Sequence, residues 1–195
     1  MPKFILLDPG HGQETPGKRS PVWPDGSILY EYEFNRDICS RISSALFREG
    51  LGTKVYNLVP ELDDISLAER VRRARRWCAS LGSDALLISV HANAGGGTGF
   101  EVFTTPGEDH SDLYASQFSE MLKASFPDIK FRADVGDNDP DKEANFYIIK
   151  NAPCPAMLVE NLFMDNEADC HKLLDPGFRD KLAGVYVEFI KKVLS

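Results

Sequence analysis

The sequence predicts an α/β fold: a single domain built on a mainly parallel twisted sheet of about six strands, with helices on both faces. Three observations point to it. Short apolar runs alternate with amphipathic stretches of helical period along the chain. Several of those runs are apolar at nearly every position, as expected of strands buried on both faces. The length, 195 residues with 43% hydrophobic content, is enough to enclose one substantial core. No linker-like composition, charge run or internal repeat divides the chain, so residues 1–195 are expected to form one domain.

Residues 3–8 are an apolar run that ends in Asp8-Pro9-Gly10, a buried strand stopped by a turn. Over residues 33–49, Phe34, Ile38, Ile42, Ala45 and Leu46 form a helical stripe closed by Gly50. Residues 53–59 read as the next strand. Ser66-Leu67-Ala68-Glu69 is a capping-box pattern that opens a helix with Leu67, Val71, Ala74 and Cys78 on one side, ending near Gly82. Residues 85–90 are a further buried strand that delivers His91 at its end. A glycine-rich turn over 94–99 follows, then a strand over 100–104 and a helix from about 112 to 126. Residues 127–145 read as irregular and acidic, with 134–143 expected to be a mobile loop. Strands are expected over 146–149 and 156–159, and Asp175-Pro176 opens a last helix that runs to about Leu194.

Charge narrows the function. A formal net charge of -8 argues against nucleic acid as a partner, because such a surface must neutralise phosphates. Arg70, Arg72, Arg73, Arg75 and Arg76 are the basic cluster, and on an amphipathic helix flanked by acidic segments they read as a solvated face. Cys39, Cys78, Cys154 and Cys170 form no CxxC pair and read as reduced, mostly buried thiols. No apolar stretch approaches the ~20 residues of a spanning helix, so no membrane anchor is expected. The first residues run straight into a core strand, without the features of a secretion signal.

In open α/β sheets ligands gather where strands end, so polar residues there carry extra weight. Three ends stand out: Asp8-Pro9-Gly10-His11-Gly12, Ser89-Val90-His91-Ala92-Asn93 and Val159-Glu160-Asn161. Two histidines on separate core strands, with carboxylates on nearby loops, could supply a His/His/Glu zinc site with an open fourth position. A lone strand-end histidine is more often a hydrogen-bonded structural residue, and Asp8-Pro9-Gly10 alone is simply a tight turn. The glycines flanking His11 are expected to let the backbone turn sharply and leave room above the imidazole. Glu160 follows a run of apolar strand residues, where a carboxylate is costly unless it is exposed, paired or functional.

Taken together, Leu7-Asp8-Pro9-Gly10-His11-Gly12, Glu31-Tyr32-Glu33-Phe34-Asn35, Ser89-Val90-His91-Ala92-Asn93 and Pro155-Ala156-Met157-Leu158-Val159-Glu160, with Phe163 and Asn166, resemble the motifs of the zinc-dependent N-acetylmuramoyl-L-alanine amidases of the Amidase_3 type. The resemblance spans nearly the whole chain. It implies one Zn2+ per chain held by His11, Glu31 and His91, and Glu160 as the catalytic carboxylate. Glu31 is implied rather than Glu33 because the family's ligand lies four residues before a helix-opening Asn, here Asn35; Glu33 otherwise reads as a carboxylate favoured by a helix N-terminus. The implied reaction is hydrolysis of the amide between N-acetylmuramic acid and L-alanine of peptidoglycan. Zinc would acidify water and polarise the carbonyl while Glu160 transfers the proton.

The implied partner is a peptidoglycan glycopeptide; nothing indicates an oligomeric state. The alternatives are a zinc peptidase acting within the stem peptide and a catalytically silent wall-binding module. Asn93 and Asn161 could orient substrate or close turns, Glu101 could support the site or be solvated, and His110 and His171 read as surface residues. Gln13-Glu14 stands where the family usually has glycine, and the loop over 15–29 is rich in proline and aromatics. The 134–143 segment is too short for the regulatory helical insertion of some secreted relatives. Without a signal the expectation is cytoplasmic synthesis with action on the cell wall, as for a phage or prophage endolysin, or a secreted enzyme shown without its signal.

Overall fold

The computed structural model describes residues 1–134 and 139–195. Its sheet has six strands in the order β2-β1-β3-β6-β4-β5. They are β1 (Phe4–Pro9), β2 (Val55–Asn57), β3 (Ala85–Asn93), β4 (Glu101–Thr104), β5 (Lys142–Glu143) and β6 (Ala156–Phe163). β1 pairs in parallel with β2 and β3, and β3 with β6. β4 runs antiparallel to β6 and parallel to β5. The sheet is thus mostly parallel, as predicted, with its one reversal beside β6.

The helices are α1 (Glu31–Arg48), α2 (Leu67–Leu81), α3 (His110–Ser125), α4 (Tyr147–Lys150), α5 (Glu167–Leu174) and α6 (Pro176–Leu194). Strand alternation sends successive side chains to opposite faces. Ile5, Leu7, Leu86, Ile88, Val90, Met157 and Val159 join α1, α3, α5 and α6 in the larger core. Phe4, Leu6, Ala85, Leu87, Ala156 and Leu158 meet α2 and α4 in the smaller one. Ser66 caps α2 by accepting from the Glu69 amide at 3.3 Å, and Asp175 caps α6 by accepting from the Phe178 amide at 2.6 Å. No helix among the described residues is long and apolar enough to cross a membrane.

The local expectations needed correction in places. Residues 146–149 are not a strand: Tyr147–Lys150 is one helical turn whose Ile148 and Ile149 are buried in the smaller core. Four apolar residues fit either period, and only packing decides between them. α5 was not anticipated, although Asn166 caps it by accepting from the Asp169 amide at 3.2 Å. The strand expected over 53–59 is confined to Val55–Asn57, after a single tight turn. α1 begins at Glu31 rather than Glu33, so Asn35 lies one turn inside it instead of opening it. The acidic 134–143 segment falls partly on 135–138, outside the described residues; beyond them, Lys142–Glu143 pairs with β4.

Candidate metal centre

The smaller-core face of the sheet changes character along its strands. On β1 it runs Phe4, Leu6, Asp8; on β3 Leu87, Ser89, His91; on β6 Leu158, Glu160. Phe103 and Glu101 continue it on antiparallel β4. The apolar part lies against α2 and α4, and the polar part crosses the sheet at the carboxyl ends of β1, β3 and β6. His91 is in register with Glu160, and Glu160 with Glu101, so the three form a row across neighbouring strands.

His11, Glu31 and His91 offer ligand atoms that all lie within 4.8 Å of one another. Glu31 Oε1 is 3.0 Å from His91 Nδ1 and 3.4 Å from His11 Nε2, and it accepts from the Ala92 amide at 3.3 Å. The imidazole rings are 4.9 Å apart at 87°. Glu31 Oε2 is buried and accepts no hydrogen bond among the described residues, with Lys18 Nζ at 3.8 Å. Two nitrogens and a carboxylate converging with an oxygen lone pair unmet form a group that could hold a metal ion.

The charges are tightly linked. Burial would raise the Glu31 carboxyl, but hydrogen bonds with His11 and His91, and their charges, hold it well below the usual carboxylate range. Burial lowers the His11 ring despite Glu31, favouring the neutral form a metal ligand requires. For His91 burial is outweighed by Glu31 and by the charges of Glu160 and Asp8, and its pKa rises. Burial pushes Glu160 up to about 7, with the Glu31 and Glu101 charges adding to it and His91 and Lys18 opposing. Glu160 Oε2 is also buried without a hydrogen-bond partner among the described residues.

The His11 loop is held by groups that sequence reasoning missed. Arg70 is not on a solvated face: its side chain is 2% exposed and pairs with Asp8, itself 1% exposed, at 2.9 Å. It also donates to the carbonyls of Pro9 (2.6 Å), His11 (3.0 Å) and Ile65 (2.7 Å). Ser89 donates to the other oxygen of Asp8 at 2.6 Å. Arg36 donates to the His11 carbonyl at 2.9 Å and Asn35 to that of Gly10 at 3.1 Å. The available signal was Arg70 falling on the helix stripe beside Val71 and Ala74, against an Asp at the end of a core strand.

The flanking glycines serve close approach rather than the turn itself. His11 is the residue with positive φ, 61°. A Cβ on Gly10 would sit 2.1 Å from His91 Cε1, and one on Gly12 2.2 Å from the Asp64 amide nitrogen. Beyond Glu160 the β3–β6 register shifts between His91 and Asn93, with Leu162 at φ 63°, a bulge beside the cluster. Asn161 is fully buried, donates to the His91 carbonyl at 2.9 Å and accepts from Tyr186 at 3.1 Å, so it braces the strand. Asn93 donates to Glu101. Glu33 is exposed in the first turn of α1 and accepts from the Tyr32 hydroxyl at 3.0 Å. His110 begins α3, and His171 is exposed, 3.3 Å from Asp25.

A mostly parallel α/β sheet carrying a His/Glu/His cluster and a buried carboxylate at its strand ends is an arrangement suited to a metal-dependent hydrolase. Comparison with known proteins gives the family. Residues 5–192 match the profile of the Amidase_3 family, N-acetylmuramoyl-L-alanine amidase, and the chain belongs to that family. It is 32% identical over 181 residues to the sporulation-specific N-acetylmuramoyl-L-alanine amidase of Bacillus subtilis, covering 92% of this chain and 63% of that protein. It is 30% identical over 198 residues to the endolysin of Bacillus phage SPP1, covering 100% of this chain and 67% of that protein. The chain thus spans about two thirds of the length of these curated relatives. The crystal structure of an N-acetylmuramoyl-L-alanine amidase from Clostridium difficile 630 shares the fold with a TM-score of 0.80 at 24% identity, covering 99% of this chain and 97% of that one.

Proposed function

We propose that residues 1–195 act as one catalytic domain, a zinc-dependent amidase that hydrolyses the bond between N-acetylmuramic acid and L-alanine of peptidoglycan. His11, Glu31 and His91 are the metal ligands and Glu160 is the general base and acid. The observation that carries this reading is the convergence of the three ligand atoms beside a buried carboxylate in a chain of this family. Ligands at zinc distances on a tetrahedral ion stand roughly 3.3 Å apart. The separations of 3.0 and 3.4 Å from Glu31 Oε1 to the two rings bracket that spacing.

When bound, zinc supplies a Lewis acid that acidifies water and polarises the amide carbonyl. Glu160, with its proton affinity raised toward neutrality by burial, accepts a proton from the attacking water. The water oxygen joins the muramoyl carbonyl carbon, the C–N bond breaks, and Glu160 returns the proton to the departing alanine nitrogen. Arg70, Arg36 and Asn35 keep the His11 backbone in place by donating to its loop carbonyls. Asn161 does the same for His91. Action on the cell wall follows from the substrate.

The test is mass analysis of the products released from purified peptidoglycan by zinc-loaded and chelated protein. Free stem peptides beginning with alanine, absent after chelation, are expected. Cuts inside the peptide would make the protein a peptidase, and bound but intact glycopeptide would make it a silent wall-binding module.

A further inference from the structure

The row His91, Glu160, Glu101 does not stop at the catalytic carboxylate. Glu101, 5% exposed at its side chain, accepts from two cations on the same oxygen: Arg132 Nε at 2.8 Å and Lys142 Nζ at 2.6 Å. Its other oxygen accepts from Asn93. One cation would neutralise this buried carboxylate, so among these three described side chains the second leaves a net positive charge. Arg132 and Lys142 keep 31% and 27% of their side-chain surface exposed, so the surplus faces solvent. The Arg132 guanidinium also lies 5.3 Å from the centre of the Phe163 ring, at the end of β6 beyond the bulge. Arg132 is thus fixed from two sides, by a carboxylate and an aromatic face, and Lys142 by the same carboxylate, and the two are preorganised for an anion.

The substrate limits what that anion can be. N-acetylmuramic acid uses its carboxyl in the scissile amide, so the carboxylates of the glycopeptide lie on its peptide side. Lys142 stands on β5 opposite Phe103 of β4, two strands from β6, a span of about 10 Å at ordinary strand spacing. An extended peptide advances about 3.5 Å per residue, so groups two to three residues past the scissile amide reach that distance.

We infer that Arg132 and Lys142, held by Glu101, form a subsite for a free carboxylate on the second residue of the stem peptide. This rests on the amidase reading above. The subsite makes the enzyme distinguish an acidic second residue from its amidated form, because a carboxamide offers no charge to the pair and turns a donor toward two donors.

The test uses two synthetic ligands, N-acetylmuramoyl-L-alanyl-D-isoglutamate and its isoglutamine counterpart, each with the γ-carboxyl capped as a methylamide so that only the α-group differs, and the corresponding capped dipeptides. KM is measured for the first pair with zinc-loaded protein and equilibrium binding for the second by calorimetry. The acidic forms are expected to have KM and Kd lower by roughly tenfold, the scale of one hydrogen bond to a charged group. Arg132→Gln and Lys142→Gln are each expected to narrow the gap, while Glu33→Gln, at an exposed position in the first turn of α1, leaves it intact. Equal KM and Kd for acidic and amidated ligands in the unaltered protein, or a gap that persists in both variants, would overturn the inference. Preferential binding of the acidic dipeptide without cleavage of either substrate would retain the subsite and refute the amidase reading instead.

Discussion

The two ends of the polar row are built on opposite principles. At the β1–β3 end the charges are buried and matched: Asp8 meets Arg70 and Ser89, and the carbonyls of the His11 loop are met by Arg70, Arg36 and Asn35. At the β4–β5 edge they are surplus. Glu101 has two cations, and a few residues away Asp141 and Asp112 share one threonine hydroxyl, Thr104 Oγ1, at 2.6 and 3.0 Å. A hydroxyl has one proton to give, so one of those carboxylates is left short. The difference teaches where geometry is fixed by stability and where it is held ready for something else. Metal ligands need a rigid frame, whereas a recognition edge tolerates unbalanced charge.

The largest effect is expected where matching is complete. Arg70→Ala leaves Asp8 buried without its cation and removes the Arg70 donor from the carbonyls of Pro9 and Ile65, the His11 carbonyl keeping Arg36, and should cost about 3–5 kcal/mol of unfolding free energy. Urea unfolding checks it. A loss under about 1 kcal/mol would mean that the clamp contributes no more than a surface ion pair.

The opposite sign is expected at the other end. Burial, with the charges of Asp139 and Asp112 adding to it, pushes Asp141 from 3.8 up to about 6. A carboxyl whose folded pKa is raised favours the fold while protonated, and that contribution is lost as pH rises from about 3.8 through about 6. Asp141→Asn should therefore raise stability at pH 7.5 by about 1–3 kcal/mol, with the gain shrinking as pH falls through that window. A gain independent of pH, or a loss at pH 7.5, would show that the Asp141 charge is compensated.

The smallest effect contrasts neighbours. Glu33→Gln is expected to change stability by no more than about 0.5 kcal/mol and to leave zinc affinity unchanged. Glu31→Gln, two residues earlier but turned into the cluster, should weaken zinc binding strongly. Competition with a chromogenic chelator separates them. Similar losses for both would mean that the two carboxylates share the ligand role.

Much of this was legible in the chain. The strand ends bearing His11, His91 and Glu160 follow from apolar runs that stop at polar residues, and the alternation of runs and stripes fixes a layered α/β sheet. Glu31 was legible only through the family motif, because the choice between it and Glu33 depends on where α1 starts. Arg70 was misread because composition cannot separate an arginine that covers a helix from one that plugs a strand end. The β4–β5 edge was opaque for another reason: Arg132 and Lys142 lie in a stretch that reads as irregular, and Lys142 reaches Glu101 through the pairing of β4 with β5, Arg132 through the bridge between Phe131 and Phe100. The short helix at Tyr147–Lys150 was hidden by length alone.

The central claim is a division of labour in which His11, Glu31 and His91 hold the metal and Glu160 moves the proton. Zinc titration calorimetry and peptidoglycan turnover of Glu160→Gln, measured on the same preparation, test it most directly. The account predicts zinc affinity close to that of the unaltered protein and turnover reduced by about 10²–10⁴-fold. Zinc binding lost together with turnover, or turnover retained with zinc bound, would contradict it.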